Sequence, residues 1–181
     1  MMELEQRFPW PVPDPRMRIT VGGVNDDGSV RMIEYSDMHR VVEGMEVPPG
    51  APEAAASVLT TARELMRMSF YRWEFMVVSV CWSLFAVETA LRERLSAPRK
   101  TFDQLIKLAV EEGVLSGDMG DRLHAGRTIR NQVAHGKSTH SAYTIGLAVP
   151  MLQASFDVIG LLYPPESDNS AGQEPFADIH R

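Results

Sequence analysis

Between Glu74 and Glu88 the chain runs FMVVSVCWSLFAV, residues 75–87, without a single charge. A helix built from such a run is apolar on every side and has to be surrounded. It is too short to cross a bilayer, which takes about 20 apolar residues. The run therefore predicts a buried core helix, extending with its flanks over roughly 70–96. Cys81 in its middle reads as an inert core thiol. As the only cysteine, it leaves no disulfide framework within one chain and no Cys-rich zinc site.

A core helix needs others to cover it, and the pattern is helical from Pro52 onward. A helix is expected over roughly 52–68, with Pro52 in the first turn, where its missing N–H does no harm. Another covers 102–112, capped by Thr101 and ended by Gly113. Ser116 opens a third, running to about Val133, with Gly136 just beyond. A last helix spans roughly 141–163, with Pro150 kinking it or shifting its start. With the central run, these make five helices joined by short connections. The fold class that follows is all-α, an up-and-down bundle of four to five helices.

The first fifty residues read differently. Pro9, Pro11, Pro13 and Pro15 favour an extended lead-in. Alternating residues at 17–21 and 29–35 around Asp27-Gly28 predict a small β-hairpin, followed by a short helix over 36–44. Pro48, Pro49, Gly50 and Pro52 mark a boundary. The expected organisation is an N-terminal extension over 1–50, a helical bundle over 51–163 and a disordered polar tail over 164–181. The start, MMELEQRFPW, has neither the basic residues nor the apolar run of a secretory signal, so a cytoplasmic chain with no membrane association is expected.

The helix faces carry the functional signal. Val77, Cys81, Leu84, Glu88, Leu91 and Leu95 recur at spacings of four and three and share one face of the central helix. Glu88 is the only charge on that face. A carboxylate taken out of water is costly unless paired, so Glu88 predicts an Arg or His partner from another helix. The other reading is a slightly rotated stripe, with Glu88 at the rim and bonded to water. In the penultimate helix, Met119, Leu123, Gly126, Arg130 and Val133 also share a face. Arg130 is the natural partner for Glu88, and Arg127 lies one turn before it.

Arg130, Asn131 and His135 stand in the sequence R-N-Q-V-A-H. A guanidinium matches phosphate oxygens, an imidazole moves protons near neutral pH, and an amide orients either partner. The set can serve phosphodiester cleavage without a metal or other cofactor. An Arg and a His near a helix C-terminus are also favoured by the helix dipole alone.

This arrangement resembles the HEPN family, small all-α domains whose penultimate helix typically ends in R-x4-6-H, often R-N-x3-H. The preceding long helix, with its acid in F-A-V-E-T-A-L-R-E-R-L, and the connector E-E-G-V-L-S are similar as well. The resemblance covers roughly 52–163 and rests on the motif's place in the helix series. It implies a metal-independent endoribonuclease of the toxin or antiviral-defence type, acting as a homodimer whose two motifs face each other across a composite cleft. His135 would be the acid/base, Arg130 the phosphate-charge stabiliser, Asn131 the orienter and Glu88 a support. Arg127, Lys137 and His124 would bind the RNA substrate. An antitoxin or regulatory protein is an implied partner. Toxins held by a nucleotidyltransferase antitoxin often carry Tyr two residues after the His. Lys137 stands there instead, which argues against that mode of control. Other members of the family are non-catalytic modules for dimerisation and protein or nucleotide binding, and that reading stays open. So does a structural dimer in which Glu88 and Arg130 form only an ion pair.

The formal charge of -6 at first excludes a nucleic-acid binder. Its distribution reverses that. Residues 51–163 sum to +1, and from Arg122 to Phe156 there is no Asp or Glu, while Arg122, Arg127, Arg130 and Lys137 all lie there. A local positive patch is what a phosphodiester requires. His39, His140 and His180 show no metal-ligand spacing, Ser79 and Ser83 read as hydroxyls bonded to backbone carbonyls, and Trp73 and Trp82 read as packing residues.

Overall fold

The computed structural model describes residues 11–136 and 143–165. A 3-10 turn at Pro15–Ile19 leads into strands β1 (Val21–Val24) and β2 (Val30–Met32). Among the described residues six helices follow: α1 (Tyr35–Val41), α2 (Glu53–Met68), α3 (Phe75–Arg94), α4 (Phe102–Glu111), α5 (Gly117–Ala134) and α6 (Ile145–Leu162). The architecture is the expected all-α bundle with a small N-terminal hairpin.

Helix α3 is the hub and packs on α2, α4, α5 and α6. Its buried residues, among them Val77, Val80, Leu84, Val87 and Leu91, occupy every side, as the uncharged run requires. Trp82 and Phe85 are exceptions, 41% and 43% exposed. By length and composition α3 and α6 could each cross a membrane, but they pack against each other, and α3 is the more buried of the two.

Local chemistry explains the helix ends. Thr101 and Gln104 form a reciprocal capping box on α4, and the Ser116 hydroxyl accepts the Met119 N–H at 3.3 Å to start α5. Gly136, at φ 64°, closes α5 in the left-handed region open to glycine. Helix α3 begins at Phe75, where the uncharged run begins, rather than at about residue 70 as expected. Asp14 claims the backbone just before it: its N–H donates to the Phe70 carbonyl at 2.9 Å and its carboxylate accepts the Trp73 N–H at 3.1 Å. Helix α6 runs through Pro150.

The hairpin is shorter than expected and shifted along the chain. Asp14 accepts the Arg16 N–H at 3.0 Å and turns 15–19 into a 3-10 helix, which buries Met17 at 1% exposure. β1 and β2 pair antiparallel, with Val21 opposite Met32 and Val24 opposite Val30. Met17, Ile33, Met38, Val42 and Met45 share one core with the bundle, so the extension is packed into it. The expected tail, apart from its first two prolines, lies outside the described residues.

Two buried carboxylates pin the extension. Asp14 is bonded by Arg16, which also reaches Glu74 at 2.8 Å. Asp37, 6% exposed in its side chain, accepts Arg31 at 2.6 and 2.9 Å, the Glu34 N–H at 2.8 Å, and Arg40. Arg16 holds the Asp14 carboxyl well below the usual carboxylate range, and Arg31 does the same for Asp37. A carboxylate with a lowered folded-state pKa stabilises the fold above its unfolded value of about 4 and loses that contribution as pH falls through the folded value. The thermal midpoint is therefore expected to drop steeply on acidification below about pH 4. Asp37→Asn should lower the midpoint at neutral pH and flatten the acid limb. An unchanged acid limb in that variant would show that Asp37 carries none of the linkage.

Candidate functional site

Small residues on α5 bring it down onto α3. A Cβ at Gly126 would lie 3.2 Å from both Leu84 methyl carbons, so glycine permits the approach. One turn further along both helices, Arg130 meets Glu88. Arg130 Nη1 donates to Glu88 Oε2 at 2.8 Å, and Arg92 Nη2 donates to Glu88 Oε1 at 2.6 Å. The paired reading of Glu88 therefore holds. The Arg130 and Glu88 side chains are 17% and 16% exposed.

Two rings fix the guanidinium further. The Arg130 Cζ lies 5.2 Å from the centroid of Phe85 on α3 and 5.2 Å from that of Phe102 on α4. Such contacts hold a cation flat against aromatic faces. Its remaining N–H donors have no acceptor among the described residues and keep access to solvent.

His135 is the C-cap of α5. Its N–H donates to the Asn131 carbonyl at 3.0 Å, and the residue is exposed. Asn131 is half-buried one turn back. The five-residue spacing places Arg130 and His135 in the same terminal stretch of α5, with the arginine turned toward α3 and α4 and the histidine at the helix end.

Arg127 and His124 meet an acid that the sequence reading did not use. Asp103 Oδ1 lies 3.1 Å from Arg127 Nη2 and 3.5 Å from His124 Nδ1, and Lys107 reaches the same carboxylate at 2.8 Å. Lys107 contributes most to holding the Asp103 carboxyl below its ordinary value. Since Phe102 and Asp103 are neighbours, α4 offers a ring to Arg130 and a charge to Arg127. The result is one strip of paired cations along α5. Lys137 lies outside the described residues, as do His140 and His180.

Other groups fall into structural roles. Burial pushes the Cys81 thiol up to about 11, so it stays protonated and unreactive near neutral pH. Ser83 donates to the Val80 carbonyl at 2.8 Å and pairs with Ser155. Trp73 is buried, while Trp82 stands half out of the surface with its ring 5.6 Å from Phe85. Among the described residues, no three His, Cys, Asp or Glu side chains come together as a metal site would require.

Sequence reasoning missed Arg92, Phe85, Phe102 and Asp103. Arg92 was findable as the i+4 partner of Glu88. The two rings and Asp103 were not, since their roles depend on how α4 lies across α5. No protein-family model matches the chain, and no curated protein or solved structure matches it.

Proposed function

We propose that this chain is an HEPN-like, metal-independent endoribonuclease, a cytoplasmic toxin or antiviral-defence effector that cleaves RNA at a composite site in a homodimer. The observation that carries the reading is the end of α5. There a guanidinium is held rigid by Glu88, Phe85 and Phe102 with donors still open, and an exposed imidazole caps the same helix. A preorganised cation is what the growing charge of a phosphorane needs, because it has no reorganisation left to pay for at the moment of reaction.

In the proposed reaction His135 takes the proton of a ribose 2′-hydroxyl. The 2′-oxygen forms a bond to the adjacent phosphorus as the bond to the 5′-oxygen breaks. An imidazolium returns a proton to the leaving 5′-oxygen, giving a 2′,3′-cyclic phosphate and a 5′-hydroxyl. Arg130 stabilises the phosphoryl charge, and Asn131 orients the imidazole or a substrate oxygen. Arg127, Lys137 and His124 supply the flanking positive field, with Arg127 and His124 partly offset by Asp103.

A second reading is favoured by one specific observation. Arg130 already has a carboxylate partner and only 17% of its side chain is exposed, which suits a non-catalytic HEPN-like module for dimerisation and protein or nucleotide binding. Incubating the purified chain with RNA in EDTA separates the two. Cleavage that leaves cyclic phosphate ends is expected. Intact RNA at high protein concentration would favour the non-catalytic module.

A further inference from the structure

The solvent side of α3 carries an aromatic pair whose exposure the core does not explain. Val78, Trp82, Phe85, Thr89 and Arg92 recur at spacings of four and three, so they share one face of this helix. The sequence reads Trp82 as a packing residue, yet 41% of it meets solvent, and so does 43% of Phe85. Adjacent large rings kept in water add little to a core and mark a surface that binds.

Phe85 ties the pair to the candidate site. The Arg130 Cζ lies 5.2 Å from the Phe85 ring centroid, and the Trp82 centroid lies 5.6 Å from it. The indole therefore stands one ring away from the guanidinium assigned to the phosphate. Its contact with Phe85 is edge-on, with the two planes at 80°, and among the described residues no aromatic ring is stacked face to face on it.

The surroundings are positive. Arg130 and Arg92 share the single carboxylate of Glu88, which leaves one positive charge in excess. Arg127 and Lys107 share Asp103 with the same result. Cations that follow the backbone beside rings that accept a base face are how proteins hold single-stranded nucleic acid. A second copy of the chain is the weaker occupant, because two half-exposed rings offer far less than the roughly 800 Å² per partner that a stable interface buries.

We propose that Trp82 is a stacking platform for an unpaired RNA base beside the phosphate held by Arg130, so that the substrate of this site is single-stranded RNA. The place of the phosphate rests on the ribonuclease reading. Bases inside a duplex are stacked on their neighbours and offer no free face, whereas those of a loop or single strand can be splayed onto a ring. Every base has a π-face, so Trp82 selects unpaired RNA without selecting its sequence. The ring acts on affinity, and the proton transfers remain with His135.

The test measures binding to the full chain carrying His135→Ala, in EDTA, so that no RNA is cut. The probe is a fluorescein-labelled oligouridylate, which forms no duplex of its own. Adding Trp82→Ala is expected to weaken binding by at least about fivefold, the loss of one base stack. Trp82→Tyr keeps an aromatic face and should retain most of the affinity. An abasic chain of the same length, and the oligouridylate annealed to oligoadenylate, should both bind more weakly and be indifferent to Trp82→Ala. Undetectable binding, equal affinity in Trp82→Ala, or an abasic chain that binds as tightly as the oligouridylate overturns the platform. So does a dimer that becomes a monomer in Trp82→Ala, since the ring then belongs to a subunit interface. The two readings fail separately. RNA that binds through Trp82 but stays intact with the unsubstituted chain removes the cleavage and leaves the platform. Cleavage at undiminished kcat/KM in a chain whose only change is Trp82→Ala removes the platform and leaves the cleavage.

Discussion

His135→Ala is expected to reduce RNA cleavage by about 10²–10⁴-fold while leaving the folded state intact. The loss is large because one imidazole is asked both to take the 2′-hydroxyl proton and, in its charged form, to supply one to the leaving oxygen. The fold should survive because His135 is exposed and caps α5 through its backbone N–H, which alanine keeps. Surface changes of this kind usually move stability by no more than about 0.5 kcal/mol. The measurement pairs a cleavage assay with a thermal melt. The companion test in cells is growth arrest on expression, relieved in the variant. Cleavage that persists at the original rate in a folded His135→Ala protein removes the histidine from the mechanism. Asn131→Ala should have a smaller effect, since an orienting amide shapes the reaction without carrying the proton.

Glu88→Ala is expected to be the most destabilising single change at the site, at about 3 kcal/mol. Two guanidinium groups, from Arg130 and Arg92, share this carboxylate. Removing it strands the Arg130 cation between Phe85 and Phe102 with 17% exposure, too little for water to replace the lost partner fully. The side chains are not fully buried, so the cost belongs at the lower end for a broken buried pair. In a chain of this length that corresponds to a fall of about 6–12 °C in the thermal midpoint. Adding Arg130→Met should recover part of the loss, because the unpaired charge is then gone. A midpoint that hardly moves in Glu88→Ala would mean that Arg130 is held by the two rings alone. The same variant should impair cleavage beyond what its stability explains, since the guanidinium would no longer be held in one orientation.

The central helix, the capped starts of α4 and α5 and the all-α class were legible because each follows from local rules: an uncharged run, a Thr or Ser followed by helix, a glycine after it. The Glu88–Arg130 pair was legible for a related reason. Each residue breaks an otherwise apolar stripe on its own helix, and two such breaks of opposite charge imply each other. The hairpin was placed too early because Asp14, which turns 15–19 into a 3-10 helix, draws its stability from Trp73 and Phe70, some sixty residues away. No reading of neighbours along the chain contains that contact.

The same division runs through the site. From the sequence came the helices, the apolar faces, the acid-free stretch from Arg122 to Phe156 and the R-N-x3-H placement before the last helix. Periodicity and capping act over one to four residues, so a linear reading can see them. Only the tertiary structure decided that Phe102 covers Arg130 and that Asp103 gathers Arg127, His124 and Lys107. Those facts depend on the angle at which one helix crosses another, and that angle is set by side-chain packing across the whole core.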